Sequence, residues 1–368
     1  MTAGLIALRA LIVGFIMSLV IITGFAYTTL LERKVLARLQ ARVGPNRAGY
    51  IPFPRRKGKE RKILAGFLQP GADAVKLFLK EDPTPAEVDR PVYNLAPMLA
   101  VISAVLLLAV IPWAPAINIF GAVFEPYFAI APGVNVGVLF ILAVTSLGVY
   151  GIFLAGWASN SKYAVLGGIR SSAQMISYEL AMGLSLLIPI MLADSMDLGV
   201  IVEAQRGGWF VILQPIAAVI FFITAMAELQ RHPFDLLEAE QELSAGFNVE
   251  YGGMRFGMFF MAEYMKMVIL SGLAAVFFFG GYLGPFVDQF PALGFVYMGI
   301  KIVIGLFLMI WIRASWPRFR YDQLMSFGWK VLLPISVLNF MITAFFILLV
   351  EENVLQPIIE AFERFFIG

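Results

Sequence analysis

Eight long apolar runs constrain this chain more than any other feature of its sequence. They cover residues 8–31, 95–114, 134–157, 175–193, 209–229, 255–280, 294–316 and 328–350. Each has about the 20 residues that a helix needs to cross a bilayer. The composition agrees, because 14% of the residues are charged, whereas soluble proteins have about 25%. The sequence therefore predicts an all-α, polytopic membrane protein with about eight transmembrane helices.

Residues 1–368 form one predicted integral membrane domain with three notable loops. These are a first inner loop at 32–94, a second at 158–174, and an acidic third at 230–254. Most of the 27 lysine and arginine residues follow spans one, three, five and seven. Because such residues are enriched on the cytoplasmic side, we expect a multi-pass protein of the cell (inner) membrane with both termini on the outer side.

The N-terminal apolar run, residues 5–31, is too long for a cleavable signal, and its positive flank follows it. The chain has no cysteine and one histidine, which excludes Cys-ligated iron–sulfur clusters, bis-His haem and zinc sites built on Cys and His. It contains neither a P-loop nor a dinucleotide-binding fingerprint. Any redox chemistry must therefore use cofactors held by other chains, or a diffusible carrier.

The first inner loop contains a predicted amphipathic helix. Asp73, Lys76 and Lys80 are spaced to share one helical face, and apolar residues around Phe78 lie opposite. This helix is either a plain interfacial helix or the wall of a cavity that opens at the membrane surface. The basic run at 55–62 is a solvated excursion, or a contact to lipid headgroups or a partner.

The third inner loop concentrates carboxylates at a membrane boundary. Between residues 228 and 250 the acids are Glu228, Asp235, Glu238, Glu240, Glu242 and Glu250, and the bases are Arg231 and His232. On a helix, Asp235, Glu238 and Glu242 would share one face. Neighbouring like charges raise at least one pKa and titrate together. The segment is either a proton relay or a hydrated acidic loop that binds a basic partner.

Several titratable residues fall inside predicted spans, among them Glu179, Glu263, Lys266 and Lys301. Acids within membrane helices mark function by default. Glu263 and Lys266 are three residues apart and could form a buried ion pair. Alternatively, both belong to a polar axis that also includes Glu179, Glu228 and Lys301.

Five strings occur in order between residues 30 and 334: LERKVLARLQARVGPNRAG, LQPGADAVKLFLKE, SNSKYAVLGGIRSSAQMISYE, RHPFDLLEAEQELSAGFNVEY and RYDQLMSFGWKVLLP. Together they resemble the H-subunit family of respiratory complex I. The sequence departs from that family at His232, which replaces a small or uncharged residue, and at Gln241, which replaces a common serine. Its basic insertion between Tyr50 and Phe67 is also longer. We expect His232 to be a simple surface histidine.

The resemblance implies a membrane subunit of a proton-translocating NADH:quinone oxidoreductase, with a quinone tunnel coupled to a carboxylate relay. The matching quinone-binding positions are Glu32, Arg33, Asp73, Arg231, Phe234 and Asp235. The matching relay positions are Glu179, Glu228, Glu238, Glu240, Glu242 and Glu263.

The resemblance also implies cofactors and partners. This chain would bind no redox cofactor, with quinone as substrate and FMN and iron–sulfur clusters in partner subunits. Its partners would be other membrane-arm and peripheral-arm subunits and the lipid bilayer, and not nucleic acid. Two alternatives stay open: the equivalent subunit of a membrane-bound hydrogenase or other dehydrogenase, and a stand-alone cation or proton transporter.

Overall fold

The structure is a computed structural model that describes residues 3–49, 51–53, 61–63, 66–119, 122–235 and 246–351. Its helices, numbered within this part of the chain, are α1 (Ala3–Leu39), α2 (Gln69–Leu79), α3 (Arg90–Leu106), α4 (Gly137–Ala158), α5 (Lys162–Ala193), α6 (Leu198–Ala204), α7 (Phe210–Leu213), α8 (Pro215–Glu228), α9 (Gly253–Phe278), α10 (Leu293–Ser315), α11 (Tyr321–Phe327) and α12 (Leu333–Glu351). Short strands β1 (Ile51–Phe53) and β2 (Arg61–Ile63) pair antiparallel, as do β3 (Ala114–Ile119) and β4 (Ala122–Phe128).

Seven helical segments of the described residues are long and apolar enough to cross a membrane, which confirms the predicted all-α polytopic class. Helix α9 is the central one, because 78% of its most apolar 18-residue stretch is buried, compared with 22% for α1. Helix α9 packs against α3, α10 and α1. We call the end of the bundle that carries residues 32–49 the inner end, after the orientation predicted from charge, and the opposite end the outer end.

Glycine allows α4 and α5 to approach closely. A Cβ atom on Gly156 would lie 2.6 Å from the Ala164 carbonyl oxygen and 3.2 Å from Gly168 Cα. Without a hydrophobic driving force between helices in lipid, small residues at the contact let backbones pack by dispersion. The Gly156 contact therefore fixes the spacing between these two helices.

The fifth predicted span is broken. The run at 209–229 divides at Gln214 and Pro215 into α7 and α8. Pro215 occupies the first turn of α8, where its missing N–H breaks no helical hydrogen bond. Helix α8 has 14 residues, fewer than the roughly 20 that span a bilayer. In the described residues, seven long helices and one interrupted segment thus take the place of the roughly eight spans that were expected.

Two other boundaries differ from those expected. Helix α5 begins at Lys162, after a turn in which Asn160 has a φ of 49°. Most of the predicted second inner loop at 158–174 is therefore helical and continuous with the fourth span. Helix α11 continues through a π-helical turn, Gly328–Leu332, into α12. Helix α2 confirms the predicted surface helix, because none of its residues is buried.

The β3–β4 hairpin at the outer end has no counterpart in the sequence prediction. The Tyr127 hydroxyl donates to Asp197 Oδ1 over 2.6 Å, and the same oxygen accepts from Gly199 N at the start of α6. Burial raises the pKa of Tyr127, and the Asp197 hydrogen bond adds to the rise. This contact fastens the hairpin to α6.

Candidate functional site

A short loop after α8 carries the predicted site residues Arg231, Phe234 and Asp235, all of which are buried. Gln174 of α5 fastens this loop at both ends. Its Nε2 donates to the Ala227 carbonyl over 3.0 Å and to the Phe234 carbonyl over 2.9 Å. The loop is therefore anchored to a long helix, and its charged side chains have defined positions.

Further contacts hold the same loop. Gln230 has a φ of 53° and donates through its side chain to Ser171 of α5. The Pro233 carbonyl accepts from Phe319 N over 3.1 Å. The ring of Phe234 lies 5.6 Å from that of Tyr178 and 5.8 Å from that of Phe319. Phe234 thus serves as an aromatic anchor in this structure.

Arg231 is the centre of a buried charge cluster. Its Nη1 donates to Glu32 Oε1 over 2.8 Å and to Glu32 Oε2 over 2.9 Å, and its Nε pairs with Glu263. Its guanidinium carbon lies 4.3 Å from the ring centroid of Tyr264. Arg313 also pairs with Glu32. Buried charges need such compensation, because an unpaired one is costly.

A second ion pair lies nearby on α8 and α9. Lys266 Nζ is 3.4 Å from Glu228 Oε1, and both side chains are buried. Gly148 of α4 leaves room for the ammonium group, since a Cβ there would collide with it. The predicted alternative of a Glu263–Lys266 pair is not what forms: each of the two residues pairs with a different helix or loop.

A cavity of about 70 Å³ connects the two sets of charges. Its charged lining residues are Glu228, Arg231, Asp235, Glu263, Lys266 and Arg313. One water needs about 10–15 Å³ on this measure, so there is room for a few water molecules. Two oxygen atoms of residues that line the cavity, Asn248 Oδ1 and Glu228 Oε2, have no hydrogen-bond partner within the described residues. Water in the cavity would satisfy these atoms and join carboxylates that do not touch.

Glu179 occupies a separate position. It accepts hydrogen bonds from Thr145 over 3.1 Å and from Ser146. It lines an open groove of about 510 Å³ between α4 and α5 and is absent from the lining of the central cavity. The structure therefore brings Glu228 and Glu263 to one cavity, whereas Glu179 lines a separate groove but is close enough to interact electrostatically with Glu228.

Arg33 and Asp73 form a more exposed pair. Arg33 Nη1 is 2.6 Å from Asp73 Oδ2, and the side chains are 50% and 30% exposed. Asp73 also accepts from Gln69 over 3.1 Å. The pair links α1 to α2 at the inner end. It does not line the central cavity, so the six predicted quinone-binding residues divide between two places.

His232 is half-buried, with Nδ1 3.5 Å from Asp235 Oδ2. Burial lowers the pKa of His232 below its ordinary value of 6.5. Asp235 opposes that change, and Arg313, Arg318 and Arg231 reinforce it. The histidine is therefore not the simple surface residue that the sequence favoured.

The remaining predicted residues are not part of the cluster in the described structure. Glu238, Glu240 and Glu242 lie outside the described residues. Lys301 donates to the Gly281 carbonyl over 2.6 Å and to the Leu283 carbonyl over 2.8 Å, at the outer end. The idea that Lys301 joins the polar axis is wrong for this arrangement.

Sequence reasoning missed four residues that shape the site. They are Gly148, Gln174, Tyr264 and Arg313. Arg313 had a usable signal, because it is an arginine in the last turn of an apolar helix. The other three have no polar pattern that separates them from ordinary membrane-helix residues.

The comparisons with known proteins cover nearly the whole chain. The NADH dehydrogenase family model matches residues 12–344. The NADH-quinone oxidoreductase H subunit of Protochlamydia amoebophila is 49% identical over 326 residues, 89% of this chain and 94% of the relative. An H subunit of the same enzyme from Syntrophobacter fumaroxidans is 47% identical over 94% of this chain and 98% of its own. NADH-quinone oxidoreductase subunit 8 of Rhodothermus marinus is 48% identical over 85% and 89%.

These matches run through every element that builds the charge cluster, from Glu32 on α1 to Arg313 on α10. They agree with the membrane architecture and with the five sequence strings. The chain belongs to the NADH dehydrogenase family.

Proposed function

We propose that this chain is the membrane subunit of a proton-translocating NADH:quinone oxidoreductase that takes part in quinone binding and transmits the effect of quinone reduction to a carboxylate relay. The names of the similar proteins support the enzyme class and favour it over a hydrogenase or a transporter. One structural observation carries the coupling role: the cavity that joins the Arg231 cluster to the Glu228–Lys266 pair.

The cavity fits proton transfer better than quinone binding. Pockets for small organic ligands are typically 300–1,000 Å³, and the central cavity is far smaller at about 70 Å³. We therefore propose that quinone binds beside this cavity, towards the inner end. There Arg33, Asp73 and Asp235 would contribute, together with partner chains.

In this mechanism the chain's own residues hold and move protons. A change of charge on quinone would alter the electrostatic potential at Asp235 and Arg231. Glu263 exchanges part of its interaction with Arg231 for a proton delivered through cavity water. The proton then reaches Glu228, which is held by Lys266. Paired acids with low-dielectric surroundings suit this role, because small field changes shift their proton affinity.

The test uses Glu263→Gln and Glu228→Gln in the intact complex. Each variant should assemble and reduce quinone with much lower proton transfer per electron, because glutamine keeps the side-chain shape and cannot release a proton. Glu203→Gln is the matched control, since Glu203 pairs with Arg206 at the outer end. Normal proton-coupled activity in both relay variants would disprove the relay.

The same proposal includes a location and partners. We place the chain in the cell membrane with both termini outside, and we place FMN and the iron–sulfur clusters in partner subunits. Purification from native membranes in mild detergent checks this, since co-purified flavin and iron–sulfur proteins with NADH:quinone activity support it. Recovery with a hydrogenase module would overturn the NADH assignment, and recovery as a lone chain would overturn the subunit role.

A further inference from the structure

A basic groove lies at the inner end, away from the charge cluster. It has a volume of about 950 Å³ and lies between the last turns of α1, the chain segment that follows them, and Phe307 of α10. That segment folds back onto α1: Arg42 N donates to the Ala37 carbonyl over 2.6 Å, and a Cβ on Gly44 would lie 3.3 Å from Lys34 Cα and 3.4 Å from the Arg33 carbonyl oxygen. The groove is therefore a formed feature of the helix end.

Three cations line one part of this groove: Lys34, Arg38 and Arg42. Within the described part of the chain, no acidic side chain forms an ion pair with them, and Arg42 donates to the neutral amide of Gln40. Arg33, beside them in sequence, pairs with Asp73 instead. The three cations thus present positive charge that the described chain leaves uncompensated.

The rest of the groove is apolar and extends towards the membrane core. Leu39 is 50% exposed and Val43 is 82% exposed. Phe307 is partly exposed and lies roughly two helical turns before the inner end of α10. The groove therefore combines a cationic mouth at membrane-surface level with an apolar wall at the depth of lipid tails.

We propose that this groove binds an anionic phospholipid, and this inference goes beyond the proposed function. Lys34, Arg38 and Arg42 contact the headgroup phosphate, and an acyl chain lies along Leu39 and Phe307. Basic pockets on the inner side of transmembrane helices bind acidic headgroups, and each basic residue near the surface adds a favourable contribution. A soluble anion would have no use for the apolar wall, so the two-part surface selects a lipid.

The experiment replaces all three cations, Lys34→Gln, Arg38→Gln and Arg42→Gln, in the assembled complex. The complex is stripped of lipid by detergent exchange and loaded into nanodiscs with graded phosphatidylglycerol in phosphatidylcholine. Phosphatidylglycerol retained after re-extraction is measured by mass spectrometry. Its retention should weaken on the order of a hundredfold, and phosphatidylcholine retention should not change.

The control triple variant, Lys162→Gln, Arg320→Gln and Lys330→Gln, removes equal charge from exposed residues at the same end of the bundle and should retain the lipid. The charge-conserving double variant Lys34→Arg, Arg38→Lys should also retain it, which separates lipid loss from misfolding. Phe307→Ala should weaken retention with all charges intact. Equal phosphatidylglycerol retention in wild type and the groove variant would overturn the proposal. The proposal would also be overturned if the groove variant lost a partner subunit while it retained phosphatidylglycerol.

Discussion

Arg231 lies between carboxylates from two different helices, Glu32 of α1 and Glu263 of α9. Its position after a short helix gave no indication of these partners. Glu263 and Lys266 have the spacing of an ion pair along one helix, yet each pairs with another part of the chain. The sequence shows which residues carry charge, and their spacing suggests which of them could pair. The rotation of each helix about its axis, which a single sequence does not reveal, decides which of them meet.

Removing Arg231 tests how much the stability of the chain depends on the pairing of charges in the cluster. Arg231→Met removes the cation that pairs with buried Glu32 and with partly exposed Glu263, and because Glu32 keeps Arg313 and Glu263 keeps some solvent contact we expect a cost at the low end of about 3–5 kcal/mol. We expect a lower thermal midpoint for the chain within the purified complex. The double variant Arg231→Met, Glu263→Gln should recover much of this loss, because the uncompensated charge is gone. If the two losses simply add, the residues do not interact as the structure indicates.

His232 gives a prediction about pH. Because its pKa is lowered in the folded chain, the unfolded chain binds more protons between that lowered pKa and 6.5. Stability therefore falls as pH falls through this window. His232→Gln should lose less stability than wild type there, and the two should respond alike above it. Thermal melting of both complexes from about pH 8 to about pH 5 is the measurement. Parallel curves throughout would contradict the buried environment of His232.

At the scale of elements, Gln174 ties α5 to the site loop, and Gln205 ties α6 to the outer end of α9. Gln205 Nε2 donates to the Ile201 carbonyl over 3.1 Å and to the Val276 carbonyl over 2.8 Å. Its Oε1 accepts from Gly280 N over 2.9 Å. Both side chains are buried. The chain thus offers two similar glutamine clamps, one at the candidate site and one far from it.

Gln174→Leu and Gln205→Leu form a matched pair. Each should destabilise the chain by about 1–3 kcal/mol, because buried carbonyls lose their donors. Only Gln174→Leu should also raise the KM for quinone and change the pH profile of activity, since it frees the loop that carries Arg231 and Asp235. Steady-state kinetics with a soluble quinone analogue distinguishes the two. Equal KM values for both variants would mean that Gln174 acts on stability alone.

The elements were predictable to different degrees. Long apolar runs predicted the membrane helices, because the length and hydropathy of a run are enough to identify a helix that can cross a bilayer. The break at Gln214–Pro215 was missed, since the run is apolar on both sides and a proline within a span often only kinks it. The start of α5 was missed because its first turns are polar enough to resemble a loop. The β3–β4 hairpin was missed because its residues match no clear alternation.

On the scale of the whole molecule, charge and structure agree on the two ends of the bundle. The charge cluster, the α1–α2 pair and the basic groove are at one end. Arg206, Asp288 and Lys301 are at the other. This arrangement was largely foreseeable from the lysine and arginine distribution. The central cavity was not, because it depends on side chains from several helices that converge only in the fold.

The absence of cysteine from the sequence makes the orientation testable. Gln289→Cys places a thiol on an exposed residue of the outer end, and Gln40→Cys places one at the inner end. In right-side-out vesicles a membrane-impermeant maleimide should label this chain at position 289 and not at position 40. Inverted vesicles should give the opposite result. Labelling of position 40 alone in right-side-out vesicles would reverse the proposed orientation.

The pairing of charges around the central cavity has a consequence for sensitivity. In their ionised forms Glu32, Glu263 and Glu228 pair with Arg231, Arg313 and Lys266, and Asp235, which also lines the cavity, adds a fourth carboxylate. Two unit charges about 4 Å apart, at an effective dielectric constant near 20, interact with an energy of about 4 kcal/mol. A single charge that arrives this close to the cavity would therefore change the electrostatic energy of the cluster by several times the thermal energy.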